Sequence, residues 1–206
     1  MAIRLHHNPG SQHARRAHIA LIELGLDFEI VSVDFAKGDN QSETYLAHNP
    51  NGKVPTLEDG DFWLWESNAI MAYLADKVSG QRLYPTDARA RAEVNRWLFW
   101  ESAHFGNACV TLTWERVVKP FFMKQDPNPA LVEHGEANLR RFGAVLDRQL
   151  AGKEYVVGSL SIADFALGSI LMYREPAKMD LEAFPNIKRW IALLESRESF
   201  KKTAPR

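Results

Sequence analysis

The hydrophobic pattern changes at residues 78–87, and this change constrains the fold more than any other feature of the sequence. Before it, short alternating runs typical of strands, such as Phe28–Val33, are interleaved with helix-spaced runs such as His13–Leu24. After it, long helical patterns follow one another and no pair of strands is indicated. We therefore predict two domains, an α/β domain over residues 1–79 and an all-helical domain over residues 87–206.

The first domain is predicted to contain seven elements in the order strand, helix, strand, helix, strand, strand, helix. Gly25 is expected to end the first helix, because glycine adopts the left-handed conformation common after a helix C-terminus. Asp59-Gly60-Asp61 is a hairpin signal. The predicted elements are Ala2–His6, His13–Leu24, Phe28–Val33, Ser42–Ala47, Thr56–Glu58, Phe62–Trp65 and Ser67–Val78.

The second domain is predicted to consist of helices and a polar, loose C-terminal tail at Lys201–Arg206. Pro120 is expected to end or kink the first helix. Ser161 and Asp164 have the spacing of a capping box, which indicates a structural helix start. The predicted helices are Ala88–Lys119, Ala130–Leu150, Ser161–Tyr173 and Pro185–Glu195.

Composition and charge exclude several classes of partner. The net charge of −1 favours neither a nucleic acid nor a membrane surface. No apolar run approaches the ~18–20 residues that a membrane helix needs, and the N-terminus lacks the apolar stretch of a signal peptide, so we expect a cytoplasmic protein. The single cysteine, Cys109, fits a reducing compartment. The seven histidines lack metal-binding spacings, so no metal is predicted.

The segment Asn49–Leu57, with the sequence NPNGKVPTL, places Val54 and Pro55 directly before a predicted strand. If the Val54–Pro55 bond is cis, the Val54 backbone would face outward with its N–H and C=O groups free. Such an edge suits a peptide-like ligand, which can pair with it as an added strand. An ordinary loop that ends at a proline is the alternative.

Glu66 and Ser67 lie where the predicted hairpin ends and a helix begins. Ser67 as N-cap would hold a carboxylate with its hydroxyl, its backbone N–H and the positive end of the helix. Glu66 would hold an ammonium group. The pair therefore matches an amino-acid head group, although plain helix capping without a ligand explains Ser67 equally simply.

Taken together, these segments resemble the cytosolic glutathione transferase family, and the resemblance covers nearly the whole chain. It implies the fold of that family, with an N-terminal thioredoxin-like domain, an all-helical C-terminal domain and glutathione as co-substrate. It also implies a cytoplasmic homodimer that functions in detoxification. The expected reaction joins the thiol of glutathione to an apolar electrophilic small molecule.

The group that stabilises the glutathione thiolate is expected between the first strand and the first helix. Pro9–Arg16, read as Pro-x-Ser-x-x-x-Arg-Arg, resembles the plant-type serine transferases of the phi class, which makes Ser11 the first candidate. Asn8 is the second, since some bacterial relatives place the donor nearer the strand end, and we interpret the chain as bacterial. His7 and His13 follow.

Other chemistries of the family are not favoured, because the strand-end tyrosine and the cysteine of other classes are absent from this region. Arg15 follows Ser11 by one helical turn, so it could raise the local potential near the sulfur or serve as an ordinary helix charge. The resemblance places the glycine carboxylate of glutathione at Asn40 and Gln41, neither of which is a cation, and Lys53 could supply the missing charge.

Phe105 and Trp114 are candidates for the electrophile site, because the resemblance places one face of the first long helix there. Aromatic bulk favours an apolar or aromatic co-substrate. Two other functions stay open at this point. One is a glutathione-dependent lyase, isomerase or dehalogenase of the same fold, and the other is a non-catalytic binding module.

Overall fold

A computed structural model describes residues 3–205, and in it the chain forms two compact units. The first unit runs to Tyr84 and also includes the chain from Glu198 onward, whereas the second is the continuous segment Pro85–Arg197. The C-terminal segment therefore belongs with the α/β unit, not with the helical domain to which the sequence assigned it. Ala2, predicted to begin the first strand, lies outside the described residues.

The first unit contains a four-stranded sheet with strand order β2-β1-β3-β4. β1 pairs in parallel with β2 and antiparallel with β3, and β3 pairs antiparallel with β4. Gly60, at φ +67°, makes the tight turn between β3 and β4, as the predicted hairpin requires. The strands are β1 (Ile3–His7), β2 (Phe28–Ser32), β3 (Thr56–Asp59) and β4 (Phe62–Trp65).

Two helices, α1 and α3, pack on the sheet to form the main core of the first unit. Leu5 of β1 and Leu57 of β3 are fully buried between Leu21 of α1 and Ile70 of α3. Gly25 follows α1 at φ +65°, which confirms the predicted helix end. The helices of this unit are α1 (Gln12–Glu23), α2 (Glu43–His48), α3 (Ser67–Lys77) and α9 (Glu198–Lys202), with a 3₁₀ turn at Asp39–Gln41.

A continuous helical path in the second unit corresponds to the long helix that the sequence predicts. It starts at Ala88 and ends at Met123, and Lys124 then leaves it at φ +55°. Pro120 does not end this path, because it lies inside a π-helical stretch whose wider turn tolerates the missing N–H group. The segments are α4 (Ala88–Trp100), a π-helix (Glu101–Phe105), α5 (Gly106–Thr113) and a π-helix (Trp114–Met123).

A buried carboxylate, that of Asp164, joins parts of the second unit that are distant in sequence. Its oxygens accept hydrogen bonds from the backbone N–H groups of Val156 and Ser161, each 2.9 Å away. They also accept from the Ser161 hydroxyl at 3.0 Å and the Trp190 indole at 2.9 Å, so the predicted capping box is confirmed. The other helices of this unit are α6 (Pro129–Leu150), α7 (Ile162–Ile170) and α8 (Pro185–Glu195), with a 3₁₀ turn at Leu171–Tyr173.

The C-terminal tail is not loose along the described part of the chain. Residues Ser199 and Phe200 of α9 are each only 1% exposed, and the Ser199 hydroxyl donates to Glu23 of α1. The prediction of a loose tail over Lys201–Arg206 was wrong for its first residues, because Lys201 and Lys202 form the end of α9 and the Thr203 hydroxyl accepts a hydrogen bond from Arg15. Within residues 3–205, no helix is both long and apolar enough to cross a membrane.

Replacement of Asp164 by alanine is expected to destabilise the helical unit by about 3–5 kcal/mol. The variant leaves four buried donors without their acceptor, and those donors cannot reach water. Urea unfolding followed by tryptophan fluorescence measures the effect. Asp180→Ala is the control, since Asp180 accepts one bond at an exposed position. Equal stabilities of the two variants would contradict this account.

Candidate functional site

Ser11 caps helix α1 at the junction with β1, and it is the first candidate for the sulfur donor. Its Oγ atom accepts a hydrogen bond from the Ala14 N–H group at 3.1 Å, and its own N–H donates to the Asn8 carbonyl. Among residues 3–205, no group accepts a hydrogen bond from the Ser11 hydroxyl. The hydroxyl proton therefore remains available to an anion placed at the positive end of α1.

Asn8, the second candidate, has a side chain that is engaged in holding the loop between β1 and α1. Its amide nitrogen donates to the Val33 carbonyl at 2.8 Å, and its amide oxygen accepts from the Gly10 N–H at 2.9 Å. The first bond ties the loop to the residue that follows β2, and the second lies within the loop. The arrangement favours a structural function for Asn8 over donation to a ligand.

The histidines of β1, His6 and His7, contact other side chains of the first unit. The His7 ring contacts the His18 ring of α1 edge-on at 5.4 Å, and burial together with His18 lowers the pKa of His7 to about 4. Burial also lowers the pKa of His18. The Nε2 atom of His6 lies 3.1 Å from a carboxylate oxygen of Glu58 on β3, and the His6 ring contacts the ring of Trp63 on β4. A neutral, partly buried His7 is a poor thiolate partner.

The Val54–Pro55 peptide bond is cis, as the sequence analysis anticipated. Val54 is 7% exposed, and its side chain packs with Ala14, Val33 and Tyr45 in a small buried cluster. Within residues 3–205, the Val54 backbone makes no hydrogen bond. Its N–H and C=O groups are thus free to pair with an extended ligand.

A buried polar network, which the sequence analysis did not identify, holds the segment before Val54. The Lys53 carbonyl accepts hydrogen bonds from the Tyr45 hydroxyl at 2.6 Å and from the Asn49 amide at 2.8 Å. Both of these side chains also contact the Thr56 hydroxyl at 2.8 Å. The turn signal at Asn49-Pro50 was visible in the sequence, but the position of Tyr45 one α2 turn earlier carried no recognisable signal.

Asn40 and Gln41, the candidates for the glycine end, lie beside the same loop. The Asn40 amide donates to the Gly52 carbonyl at 2.7 Å, so this side chain already has a partner in the loop. Gly52, at φ +58°, lies so close to Gln41 that a Cβ atom there would come within 2.6 Å of its amide nitrogen. The Lys53 side chain is exposed next to them and carries the positive charge of this corner.

The junction between β4 and α3 differs from the prediction by one residue. Glu66 is the N-cap, at φ +72° and without a side-chain cap bond, and Ser67 is the first residue of α3. A positive φ is strained for a residue other than glycine. Ser67 is 5% exposed, and within residues 3–205 neither its backbone N–H nor its hydroxyl donates a hydrogen bond. The predicted anion-binding groups are therefore present, with the capping position moved to Glu66.

The structure brings these three segments together through helix α1. Ala14, in the first turn of α1, packs against Val54. Arg16, two residues on, donates to the Asn68 side chain at 3.1 Å and so links α1 to the first turn of α3. Helix α1, which Ser11 caps, thus contacts both the Val54 segment and the first turn of α3.

A separate cavity of about 360 Å³ lies elsewhere in the first unit, between β2, α2 and Trp63. It is lined by residues such as Val31, Tyr45 and His48, and by none of the candidates on β1–α1, Val54 or Ser67. The candidate site is an open surface of backbone and hydroxyl donors, which suits an extended polar ligand better than a compact apolar one.

In the second unit, the two candidates for the electrophile site differ in exposure. Phe105 is fully buried and stacks on Trp100 at 5.8 Å between ring centroids, so its position favours a core function over ligand contact. Trp114 is 46% exposed. Cys109 is fully buried and desolvation raises its pKa far above the usual range, which leaves it inert as a nucleophile.

The fold defines a class of protein, one in which a thioredoxin-like unit with a four-stranded sheet is followed in the sequence by an all-helical unit. Comparison with known proteins agrees with this class. Residues 1–76 match the model of the glutathione S-transferase N-terminal domain, and residues 110–198 match that of the C-terminal domain.

Related proteins match over almost their full lengths. A probable glutathione S-transferase GSTF2 of Oryza sativa is 32% identical over 98% of this chain and 95% of its own. The crystal structure of glutathione transferase F7 from Populus trichocarpa, 29% identical, covers 98% of both chains with a TM-score of 0.91. Maize glutathione S-transferase I in complex with an atrazine glutathione conjugate is 29% identical, with a TM-score of 0.89 over 99% of this chain and 97% of its own.

The chain therefore belongs to the glutathione S-transferase family. It is a transferase with glutathione as its co-substrate, and its fold is the one that the sequence predicted. These three relatives come from plants. The bacterial interpretation of the sequence stays a prediction.

The His7–His18 contact predicts a loss of stability at acid pH. Both folded-state pKa values lie below the unfolded value of about 6.5, so between about pH 6.5 and pH 4 the unfolded chain binds more protons and the folded state loses free energy. We expect a loss of about 1 kcal/mol between pH 7 and pH 5 from this pair, after allowance for its partial exposure.

Urea unfolding at several pH values measures this dependence. A His18→Gln variant should show a shallower decrease than the wild type over the same range. His134→Gln is the matched control, because His134 is exposed on α6 and its ring is hydrogen-bonded to the Asn138 side chain. An unchanged slope in His18→Gln would contradict the assignment.

Proposed function

We propose that this protein joins the thiol of glutathione to an apolar electrophile, with the Ser11 hydroxyl stabilising the thiolate. One observation carries the proposal: Ser11 caps α1 by accepting a bond from Ala14, and within residues 3–205 its hydroxyl proton has no acceptor. The hydroxyl can therefore donate to sulfur without giving up its capping bond. This use of Ser11 corresponds to the phi-like serine motif Pro9–Arg16.

The chemistry requires the sulfur as an anion, because the thiol is a weak nucleophile. The thiol proton leaves to solvent, the thiolate electron pair forms a bond to carbon, and a leaving group departs with its own electron pair when the electrophile carries one. A hydrogen bond to the anion and the positive end of α1 both favour the thiolate over the thiol. Ser11 thus lowers the pKa of the bound thiol and takes part in no covalent step.

The backbone of glutathione is proposed to pair with Val54. The cysteinyl residue of glutathione carries one N–H and one C=O group, and Val54 offers the complementary pair next to Pro55. The γ-glutamyl head then extends toward the start of α3. There the Ser67 hydroxyl and N–H would bind its carboxylate, and the Glu66 carboxylate would bind its ammonium group.

The glycine carboxylate at the other end is proposed to bind Lys53. Asn40 already donates to Gly52, so we propose that it and Gln41 shape this corner and that Lys53 supplies the charge. An exposed lysine acts here as a flexible point charge, which suits a carboxylate at the solvent edge of a site.

The electrophile is proposed to be an apolar or aromatic molecule bound by the helical unit. Trp114 supports this choice, because a ring that is nearly half exposed on a helix offers a surface for an aromatic partner. The maize relative that carries an atrazine conjugate is consistent with an electrophile of this kind. Phe105 is proposed to support this region from the core.

We further propose that the protein acts in the cytoplasm, in detoxification, as a homodimer. The hairpin supports the homodimer, since β4 is the edge strand of the sheet and its Phe62 and Trp65 side chains are 43% and 39% exposed. Exposed aromatic rings on an edge strand are a common feature of surfaces that become buried on assembly.

Ser11→Ala is expected to raise the pKa of the bound glutathione thiol by about 1–2 units and to lower kcat about a hundredfold. The variant removes a hydrogen bond that acts on the anion. Titration of thiolate absorbance in the binary complex measures the pKa, and a thiol-conjugation assay with an aromatic halide electrophile measures kcat. Unchanged values for both would overturn the assignment.

Two further variants make this test specific. Asn128→Ala removes an N-cap of the same kind from α6, so it controls for the loss of about 1 kcal/mol of capping energy. Asn8→Ala should lower stability with a smaller effect on the thiol pKa. A larger effect in Asn8→Ala than in Ser11→Ala would move the donor function to Asn8. A wild type without glutathione affinity would instead favour a non-catalytic module.

Lys53→Met is expected to raise the KM for glutathione about tenfold with little change in kcat, because the lost ion pair forms equally in ground and transition states. Steady-state kinetics measure both constants. Glutathione amidated at its glycine carboxylate provides the control, since wild type and variant should then have similar KM values. A Lys37→Met variant at an exposed loop position should match the wild type.

A further inference from the structure

The C-terminal helix α9 lies along α1, although 113 residues of the second unit separate it in sequence from the rest of the first unit. Ser199 donates to Glu23 near the end of α1, and Thr203 contacts Arg15 near its beginning. The two segments therefore run antiparallel. The direction of α9 is from the C-terminal end of α1 toward the end that carries Ser11.

Arg15 of α1 contacts the C-terminal segment through its guanidinium group. Its guanidinium group donates to the Phe200 carbonyl at 3.2 Å and to the Thr203 hydroxyl at 3.4 Å. The group also lies over the Phe200 ring, 5.3 Å from the ring centroid. Arg15 is 4% exposed and Phe200 is 1% exposed. The contacts to α9 thus keep a positive charge out of water.

Arg15 follows Ser11 by four residues, which is about 6 Å along the helix axis. The Cα–Cβ bonds of a helix tilt toward its N-terminus, so the side chain of Arg15 starts in the direction of Ser11. A charge that is shielded from water acts over such distances more strongly than a solvated one. The Arg15 charge adds to the positive end of α1, where the sulfur is proposed to bind.

We infer that the C-terminal segment from Glu198 to Thr203 is a positioning element of the glutathione site, which acts through Arg15 to favour the thiolate form of bound glutathione. This inference rests on the proposed binding of glutathione as a thiolate at the N-terminal end of α1. Arg15 is a positioning residue that sets the potential and orientation of the first α1 turn. Phe200 and Thr203 act one step further away, because they fix Arg15.

Other charged and titratable groups also lie around α1. On α9, Glu198 and Lys201 pair with each other at 3.0 Å, and Lys202 is exposed. On α1 itself, Glu23 accepts from α9 at the far end of the helix. On β1, His7 is neutral near pH 7 because of its low pKa. Arg16, the next residue of α1, is also buried at 1% exposure, and it donates to Asn68 at the start of α3, whereas Arg15 contacts α9.

Arg15→Met tests the inference, because it keeps a side chain of similar length and removes the charge. The pKa of the glutathione thiol in the binary complex, measured by absorbance titration, is expected to rise by about one unit. Below that pKa, kcat/KM should fall about tenfold, and the pH profile of the rate should shift by the same amount. Arg15→Lys keeps the charge and should restore most of the shift.

Phe200→Leu and Thr203→Val test the contacts that the C-terminal segment makes with Arg15. They replace Arg15→Met in the test if that variant does not fold. Each should raise the thiol pKa by a smaller amount than Arg15→Met, because Arg15 keeps its charge and loses part of its anchoring. Arg140→Met, at an exposed position on α6, is the matched control and should leave the thiol pKa unchanged. A merely structural function would lower the melting temperature in these variants without a change in thiol pKa.

The outcomes separate this inference from the proposed function. If wild type binds glutathione as thiolate and every Arg15 and α9 variant keeps the wild-type thiol pKa, the inference is overturned while the function of Ser11 stands. If Ser11→Ala leaves the thiol pKa unchanged and Arg15→Met raises it, the inference survives without the Ser11 assignment. If the wild type does not bind glutathione, the proposed function is overturned, and the inference is overturned with it.

Discussion

The anchoring of helix α1 is the constraint on which the rest of the glutathione-binding unit depends. Its apolar side is buried on the sheet, where Ala17 and Leu21 are fully inaccessible. Its other contacts are directional: Ala14 packs on the Val54 segment and Arg16 donates to Asn68 at the start of α3. A displacement of α1 would therefore disturb Ser11, the Val54 segment and the first turn of α3 together, since α1 carries or contacts each of them.

The site is built mainly from backbone groups, and buried side chains keep those groups in position. Tyr45 and Asn49 donate hydrogen bonds to the Lys53 carbonyl, and both side chains are also hydrogen-bonded to the Thr56 hydroxyl. Tyr45 and Asn49 thus fix the loop before Val54, whereas the Val54 backbone is the part proposed to bind the ligand. Buried hydrogen bonds cost little when each partner is satisfied and much when one is lost, so the loop has one strongly preferred conformation.

The elements that the sequence predicted well are those set by local patterns. Helix ends at Gly25, the Gly60 turn and the Ser161–Asp164 cap all depend on residues close in the chain. The misses involve distant partners. The polar residues from Lys201 onward were predicted to be loose, and only the fold reveals that Phe200, just before them, is buried against Arg15 and that Thr203 also contacts Arg15. The shift of the α3 cap to Glu66 was also invisible, because a positive φ at a glutamate contradicts local preference.

The discontinuous first unit has a consequence for how the chain is made. Its sheet and first helices are synthesised early, yet α9, which packs along α1, follows the whole helical unit in the sequence. Domains generally begin to fold as they leave the ribosome, N-terminal parts first. Here the whole helical unit must emerge before the first unit can complete its packing. The two units are thus linked in the order of their maturation, and a nascent chain released too early would lack the contacts around Arg15.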